Sequence, residues 1–387
     1  MLNMLKKSLS LEIENFLSFL KIKSTSKFTK SAFVQARMKI KPEVFKHLSD
    51  SLVNEFYTDN DLAIKKWNGF RLLAIDGSSI TLPITKELRQ LYGETKNQTS
   101  TGVVQARCSV IYDVENNYVL EGKLAPLKKG ERELALSHLC HCKTGDLIIY
   151  DRGYPSYSFI YEHIANKLDY LMRVKISFSK LTIDFEKSKK QTEILDIYPS
   201  KNAKLTGDKT TPIKVRLIRV ELPKGQVEIL ITSLIDLKKY SSQIFKELYQ
   251  KRWGVETFYD ELKNKLKVEH FSGYSNQSIL QDFYAALFIS NIQTLIVSEL
   301  EDEIIERNKH KKYNYKINTN MSYGLLKNRI LEIFFLEDSM NKAVGKIKQL
   351  FLEHQVPIRP NRTFKRNSGK YRTRIKPKIT KNQKDTI

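Results

Sequence analysis

Cysteine and acidic residues are both scarce in this chain. Three cysteines in 387 residues cannot build a disulfide framework, and they suit a reducing cytoplasm. Against 66 Lys and Arg stand only 43 Asp and Glu, a formal charge of +23. That deficit of negative charge calls for a polyanionic partner, most simply nucleic acid. Anionic membranes also attract basic proteins, but the sequence offers neither a signal peptide nor a lipid anchor. A long uninterrupted apolar run is missing too. The most apolar helical stretch, Leu280 to Val297, contains Gln281, Asp282, Asn291 and Gln293 and reads as a core helix, so no membrane span is expected. There is no internal repeat. With 41% hydrophobic residues the chain can fill a real core, which excludes a disordered polycation, and its length suggests two or three domains.

What is present is concentrated in one stretch, YQKRWGVETFYDELK. If the backbone advances about 100° per residue, Tyr249, Arg252, Glu256 and Lys263 share an arc of roughly 60° on one helix face. Leu248, Val255, Tyr259, Leu262 and Leu266 lie beside that arc, so the polar stripe borders the buried face. The competing reading is a surface helix with an Arg252–Glu256 i,i+4 pair. Two aspartates shift the balance. Asp76 ends the apolar run Leu72 to Ile75 at the Gly77-Ser78 break, and Asp151 ends the run Leu147 to Tyr150 before another glycine-containing turn. A charge at the end of a buried strand is costly unless compensated. A turn or helix-cap role would account for either aspartate alone. Two strand-end aspartates with a helical glutamate instead make an all-oxygen site that suits Mg²⁺, with Mn²⁺ able to substitute, and not Zn²⁺.

These residues resemble those of DDE transposases of the insertion sequence 4 family. The family signature Y-x2-R-x3-E-x6-K is matched by Tyr249, Arg252, Glu256 and Lys263. The first acidic motif stands as Ala74-Ile75-Asp76-Gly77-Ser78 and the second as Asp151-Arg152-Gly153-Tyr154. The resemblance covers roughly residues 65–275 well and both ends poorly. It implies an α/β fold: a ribonuclease-H-like mixed sheet flanked by helices, with a β-rich insertion and helical N- and C-terminal regions. It implies Asp76, Asp151 and Glu256 as catalytic and metal-holding residues around two Mg²⁺ ions. Tyr249, Arg252 and Lys263 would contact phosphates of a transposon end. Trp253 is a candidate to hold an unstacked base or, alternatively, to pack in the core, and Arg152 to balance the acids or touch DNA. Asp260, one turn beyond Glu256, competes with it on helical arithmetic; the family register selects Glu256. The implied course is cut-and-paste transposition through a hairpin. Its partners would be double-stranded DNA with terminal inverted repeats, a target DNA and a second copy of the chain in a synaptic dimer. The setting would be a bacterial cytoplasm, at the nucleoid.

The expected organisation has six parts. Residues 1–62 form a helical module that reads DNA ends or merely caps the core. Residues 63–175 form the first part of the core, with strands at 71–76, 104–113, 117–126, 146–151 and 169–175 and helices at 130–140 and 156–167. Residues 176–240 form the insertion, whose strands IKVRLIRVEL and QVEILITSL flank a Pro223-Lys224-Gly225 turn. Residues 241–275 carry the glutamate helix and 276–356 a helical region with helices at 277–306 and 323–352. Residues 357–387 are a basic arm suited to phosphates without sequence preference. His138, Cys140, His141 and Cys142 form a compact cluster whose spacing is unusual for zinc, and the end of a helix is the simpler reading. Two other functions share these residues: a ribonuclease-H-fold nuclease or resolvase without strand transfer, and a non-catalytic DNA-binding derivative. The intact stripe counts against the first, the intact acidic trio against the second.

Overall fold

The structure, a computed structural model, describes residues 9–21, 29–59, 64–95, 102–199, 211–222, 225–335 and 340–359. The basic arm past 359 and two residues of the expected insertion turn lie outside the described residues. The chain divides into two compact units: Tyr57–Ser79 with Arg107–Tyr259, and Met1–Phe56 with Ile80–Ala106 and Asp260–Ile387. The strands in chain order are β1 (Arg71–Thr81), β2 (Glu94–Thr95), β3 (Val103–Asp113), β4 (Val119–Pro126), β5 (Asp146–Tyr150), β6 (Asp169–Val174), β7 (Thr192–Ile197), β8 (Ile213–Glu221), β9 (Val227–Thr232), β10 (Tyr315–Ile317) and β11 (Gln355–Pro357).

The first unit is built on a mixed sheet in the order β3-β1-β5-β6-β9-β8-β7, with β4 also pairing with β3. Leu72, Leu73, Ala74 and Ile75 are all fully buried, as are Leu147 to Tyr150. Such runs do not alternate because central parallel strands are covered on both faces. β1 and β5 are parallel, and so are β5 and β6. The helix Glu131–Ser137 leads into β5, and Tyr157–Ala165, capped by Ser156 on the Phe159 N–H, leads into β6. These elements match the expected order closely. The β-rich insertion is also present, and it extends the same sheet: β9 runs antiparallel to β6 with Leu171 opposite Thr232. The helix Lys180–Ser188 and the edge strand β7 within it were not expected from sequence. Thr192–Ile197 is mostly half-exposed, as an edge strand can be, so its apolar signal is weak.

The second unit holds the N- and C-terminal helices together. Leu9–Phe19, Lys30–Met38 and most of Glu43–Asp59 share it with Asn276–Ser298, Glu301–Asn308, Thr319–Phe335 and Met340–Glu353. Thr29 caps the second helix by accepting from the Ala32 N–H at 3.1 Å. The first of the two long C-terminal helices expected from sequence is interrupted at 299–300; of the second, Thr319–Phe335 and Met340–Glu353 are described and 336–339 lie outside the described residues. Asn276–Ser298 is long and apolar enough by length and composition to cross a membrane, yet most of it is buried within the protein. Its polar residues explain the difference. Asp282 pairs with buried Arg37 at 3.0 Å, Gln281 accepts from Arg37 Nε at 2.7 Å, Asn291 donates to Ser49 at 2.9 Å and Gln293 to Ser322 at 3.0 Å. Those side chains find partners in other helices of the unit, as buried polar groups do.

Candidate active site

Strand register brings the first two carboxylates together. Across β1 and β5, Arg71 lies opposite Asp146 and Ala74 opposite Ile149, a constant offset of 75 positions. Carried two residues on, the same offset sets Asp76 beside Asp151. Neighbouring strands are only about 4.8 Å apart, so the two charges are close.

The third carboxylate arrives on a helix. Ile244–Gln250 buries Phe245, Leu248 and Tyr249 against Leu72, Ile149 and Leu171. The chain then tightens at Lys251 and Arg252, where the N–H groups of Arg252, Gly254 and Val255 each bond three residues back, and resumes as Trp253–Asp260. The single uniform helix expected from the motif is therefore two helices joined by a tight turn. Packing dictates the break. A β-carbon on Gly254 would stand 3.2 Å from Val114 Cγ1 and 3.3 Å from Val114 Cβ, Tyr112 stacks on Phe258 with centroids 5.1 Å apart, and the Tyr259 hydroxyl donates to Asp76 O at 2.8 Å and Cys108 O at 3.3 Å. Gly254→Ala is expected to push this helix off β3 and lower stability by about 1–3 kcal/mol, as overpacking does, which a denaturant melt would read. An unchanged midpoint would show that Val114 moves aside freely.

Arg252 lies among the acids. It is only 6% exposed. Nη2 bonds Glu256 Oε1 at 2.6 Å, Nη1 is 3.8 Å from Asp76 Oδ2, and the Tyr249 hydroxyl donates to Asp151 Oδ1 over 3.4 Å. The guanidinium also covers the rings of Tyr249 and Trp253 at 5.7 and 5.2 Å. Burial pushes Asp76 up to about 6; the Gly77 N–H and Arg252 pull it down, while Glu256 and Asp151 repel its charge and push it further up.

Other buried carboxylates of this unit show what full compensation looks like. Asp146 takes two bonds from Arg71, at 2.8 and 2.6 Å, plus the Lys143 N–H. Asp113 takes the N–H groups of Glu115 and Asn116, the Asn116 amide and the Tyr57 hydroxyl. Among the described residues, Asp76, Asp151 and Glu256 share one guanidinium, one tyrosine hydroxyl and one N–H. Three negative charges thus face one positive charge in a half-buried place. Two buried polar atoms beside them, Arg252 Nε and the Tyr154 hydroxyl, have no partner among the described residues.

The donor set fits a hard divalent cation: carboxylate oxygen only, no nitrogen or sulfur ligand. As the chain is folded here, no three His, Cys, Asp or Glu side chains among the described residues stand close enough to hold an ion. Between Asp76 and Glu256 the Arg252 guanidinium takes that position.

The remaining expected residues fall as follows. Trp253 is 44% exposed, so packing in the core does not account for it. Arg152 is exposed on the turn after Asp151. Lys263 lies in a π-helical turn, Glu261–Lys265, closed by the Leu266 N–H on Glu261 O, and belongs to the second unit; the uniform step assumed for its angle does not hold there. Asp260 is exposed and accepts from Asn264 at 2.6 Å. Sequence reasoning passed over the pair of Arg107, inside an apolar strand, with Glu131, in a charged run, and gave Tyr154 no role although it closes the second acidic motif.

The His138 cluster is a closed hydrogen-bond network. His138 is fully buried, with Nδ1 2.8 Å from Glu121 Oε2 and Nε2 3.0 Å from Ser109 Oγ. Burial pushes the His138 ring down, Glu121 opposing. Lys123 and His141 approach the same carboxylate at 3.0 and 3.2 Å. Both ring nitrogens of His138 are thus engaged, as the helix-end reading of this cluster requires.

The transposase DDE domain family matches residues 67–292, more than half of the chain, and the chain belongs to that family. Such enzymes generally use divalent metal ions. The chain is similar to the transposase InsG for insertion sequence element IS4 of Escherichia coli (strain K12), with 23% identity over 278 residues, covering 68% of this chain and 60% of that protein. It thus spans under two thirds of that relative's length. Among solved structures, the cryo-EM structure of the piggyBac transposase synaptic complex with hairpin DNA aligns over 86% of this chain and 67% of that one, at 13% identity and a TM-score of 0.41.

Proposed function

We propose that the protein is a cut-and-paste DNA transposase of an insertion sequence. It would cleave phosphodiester bonds at the element's terminal inverted repeats and join the freed 3′-ends to target DNA, through a hairpin on each end. The observation that carries this reading is that Asp76 and Glu256 meet at Arg252 while the adjoining Tyr249 holds Asp151, an acidic site in a chain of formal charge +23. Such a site repels DNA unless cations join it.

Asp76, Asp151 and Glu256 would hold two Mg²⁺ ions. When bound, such ions lower the pKa of the attacking water or 3′-hydroxyl and stabilise the leaving oxygen. The chain's own groups do the rest. The Tyr249 hydroxyl orients Asp151. Arg252 exchanges Glu256 for a phosphate oxygen, for which its planar fork is suited. Lys263 adds a point charge on the backbone of the DNA end, and Arg152 a second. The exposed Trp253 ring offers a stacking surface for a base displaced during hairpin formation. Two copies of the chain, one per end, would form the synaptic complex, in a bacterial cytoplasm at the nucleoid.

A plasmid carrying the matching terminal repeats, incubated with the protein and Mg²⁺, tests the reading. Excision followed by integration is the expected result. Asp76→Ala, Asp151→Ala and Glu256→Ala are each expected to abolish cutting while shifting the end DNA as the wild type does. Cutting without joining would make the protein a nuclease, and a shift without cutting a DNA-binding derivative.

A further inference from the structure

The row of acids across the sheet continues into a cation. Tyr150 on β5 lies opposite Met172 on β6, so one residue further on Asp151 stands beside Arg173, the two backbones about 4.8 Å apart. On its other side Arg173 lies opposite Leu230 of β9. Leu72, Ile149, Leu171 and Leu230 belong to one buried cluster with Tyr249. Side chains alternate along a strand, so Asp76, Asp151 and Arg173, each an even step beyond Leu72, Ile149 and Leu171, project to that same face. Arg173 therefore shares the face of the acidic trio and lies beyond Asp151 from Asp76.

Glu228 holds Arg173 there. It precedes Leu230 by two residues and lies opposite Val220, another member of the cluster, so it is on this face too. Its Oε1 is 2.7 Å from Arg173 Nη1, a single contact with 30% of the arginine and 16% of the glutamate side chain open. Buried Asp146, by contrast, receives two bonds from the fork of Arg71. A partly open, one-contact ion pair contributes little, and a phosphate that fills the fork can displace it. Burial pushes the Tyr249 hydroxyl's pKa up, Arg252 and Arg173 pull it down, and Asp151 and Glu228 push it up further, in keeping with a tyrosine that faces both pairs. Both acids of the strand row thus have a guanidinium as neighbour, Arg252 for Asp76 and Arg173 for Asp151. Each guanidinium is held by a glutamate, Glu256 at 2.6 Å and Glu228 at 2.7 Å.

Resting on the transposase reading above, we propose that Arg173 binds a backbone phosphate of the DNA, the one adjoining the phosphate held at the acids, and that Glu228 occupies the guanidinium until DNA arrives. A DNA strand laid across β1, β5 and β6 presents a charge at every nucleotide. With one phosphate at Asp76 and Asp151, the next meets a cation one β-strand further along. The competing role for Arg173 is narrower: its pair with Glu228 would merely join the insertion to β6, as cross-strand ion pairs do.

Single-turnover cleavage of a duplex ending in the element's terminal repeat, with Mg²⁺ and rising concentrations of the full chain, separates these roles. Arg173→Gln is expected to raise the half-saturating protein concentration roughly tenfold, the scale of one hydrogen bond to a charged group. It is also expected to flatten the salt dependence by about one unit of log–log slope. Glu228→Gln is expected to lower the half-saturating concentration. The double variant is expected to stay as weak as Arg173→Gln, because the gain at Glu228 acts through Arg173. Wild-type saturation by the double variant would mean that net charge alone matters, and wild-type saturation and slope in Arg173→Gln would leave the pair structural; either result overturns the proposal. Thermal melts check that each variant folds. If Arg173→Gln does not, Arg173→Lys keeps the charge, loses the fork and is expected to raise the half-saturating concentration as well; a wild-type value there overturns the proposal. Should the wild type not cut the duplex, or Asp76→Asn still cut it, the transposase reading fails and takes the Arg173 contact with it. If the wild type cuts, Asp76→Asn does not and Arg173→Gln saturates like the wild type, the Arg173 contact alone fails.

Discussion

Asp76→Asn is expected to stabilise the metal-free protein while abolishing its cleavage. The Asp76 carboxyl titrates at about 6 in the fold against 3.8 as a free side chain, chiefly because it is buried. The folded state therefore holds that proton more tightly than the unfolded chain does. Stability from this group is complete below the ordinary carboxylate range and is lost as pH rises toward 6; above that it stays lost. Asparagine cannot ionise, and its side-chain oxygen can keep the bond from the Gly77 N–H. At pH 8 in EDTA the variant should be more stable by about 1–3 kcal/mol, at roughly 1.4 kcal/mol per pKa unit. Near pH 3 the difference should vanish. Mn²⁺ should then raise the midpoint of the wild type and not of the variant, because only a ligand bound by the folded state stabilises it. Denaturant melts at the two pH values decide the matter: an asparagine variant less stable than wild type at pH 8 would mean that the carboxylate is fully compensated.

The opposite change is expected at Arg252. Arg252→Leu keeps an apolar stem and removes the one positive charge shared by Glu256 and Asp76. Breaking a buried ion pair from one side typically costs about 3–5 kcal/mol. Glu256 is about a third exposed, with 36% of its side chain open, so solvent screens part of the loss. A drop of about 2–3 kcal/mol in EDTA is the expected outcome. Mn²⁺ should restore more stability to this variant than to the wild type, since the cation no longer competes with a guanidinium. Equal Mn²⁺ shifts in the two proteins, measured by thermal melting, would show that Arg252 is not the resident counter-charge.

The trio was legible in the sequence because each member has a local signature. Asp76 and Asp151 end unbroken apolar runs, and Glu256 sits in a motif of fixed spacing. Their proximity was not legible, because the 75-position offset between β1 and β5 is a property of the sheet. The break at Lys251–Arg252 was hidden for a related reason. No proline marks it, and Gly254 explains it only once Val114 is known to lie opposite. Glu131 stands in Lys128-Lys129-Gly130-Glu131-Arg132-Glu133, which reads as a solvated helix start. Its pairing with Arg107, 24 residues earlier on β3, is a property of the fold. The Ser109–His138–Glu121 network likewise depends on strands that the histidine's own neighbours do not announce. The strands of the insertion were visible from their β-branched alternation, but their junction with β6 was not.

Synthesis proceeds from one end, and the two aspartates emerge from the ribosome 75 residues apart. Arg252 follows about a hundred residues after Asp151. Until it does, aligning β1 with β5 brings two carboxyl groups together without the Arg252 guanidinium. Pairing between such distant strands is slow in any case. The growing polypeptide thus has reason to leave this part of its sheet open until the helix bearing the arginine has been made, and a ribosome stalled before that point would present an acidic, half-assembled edge to the cell.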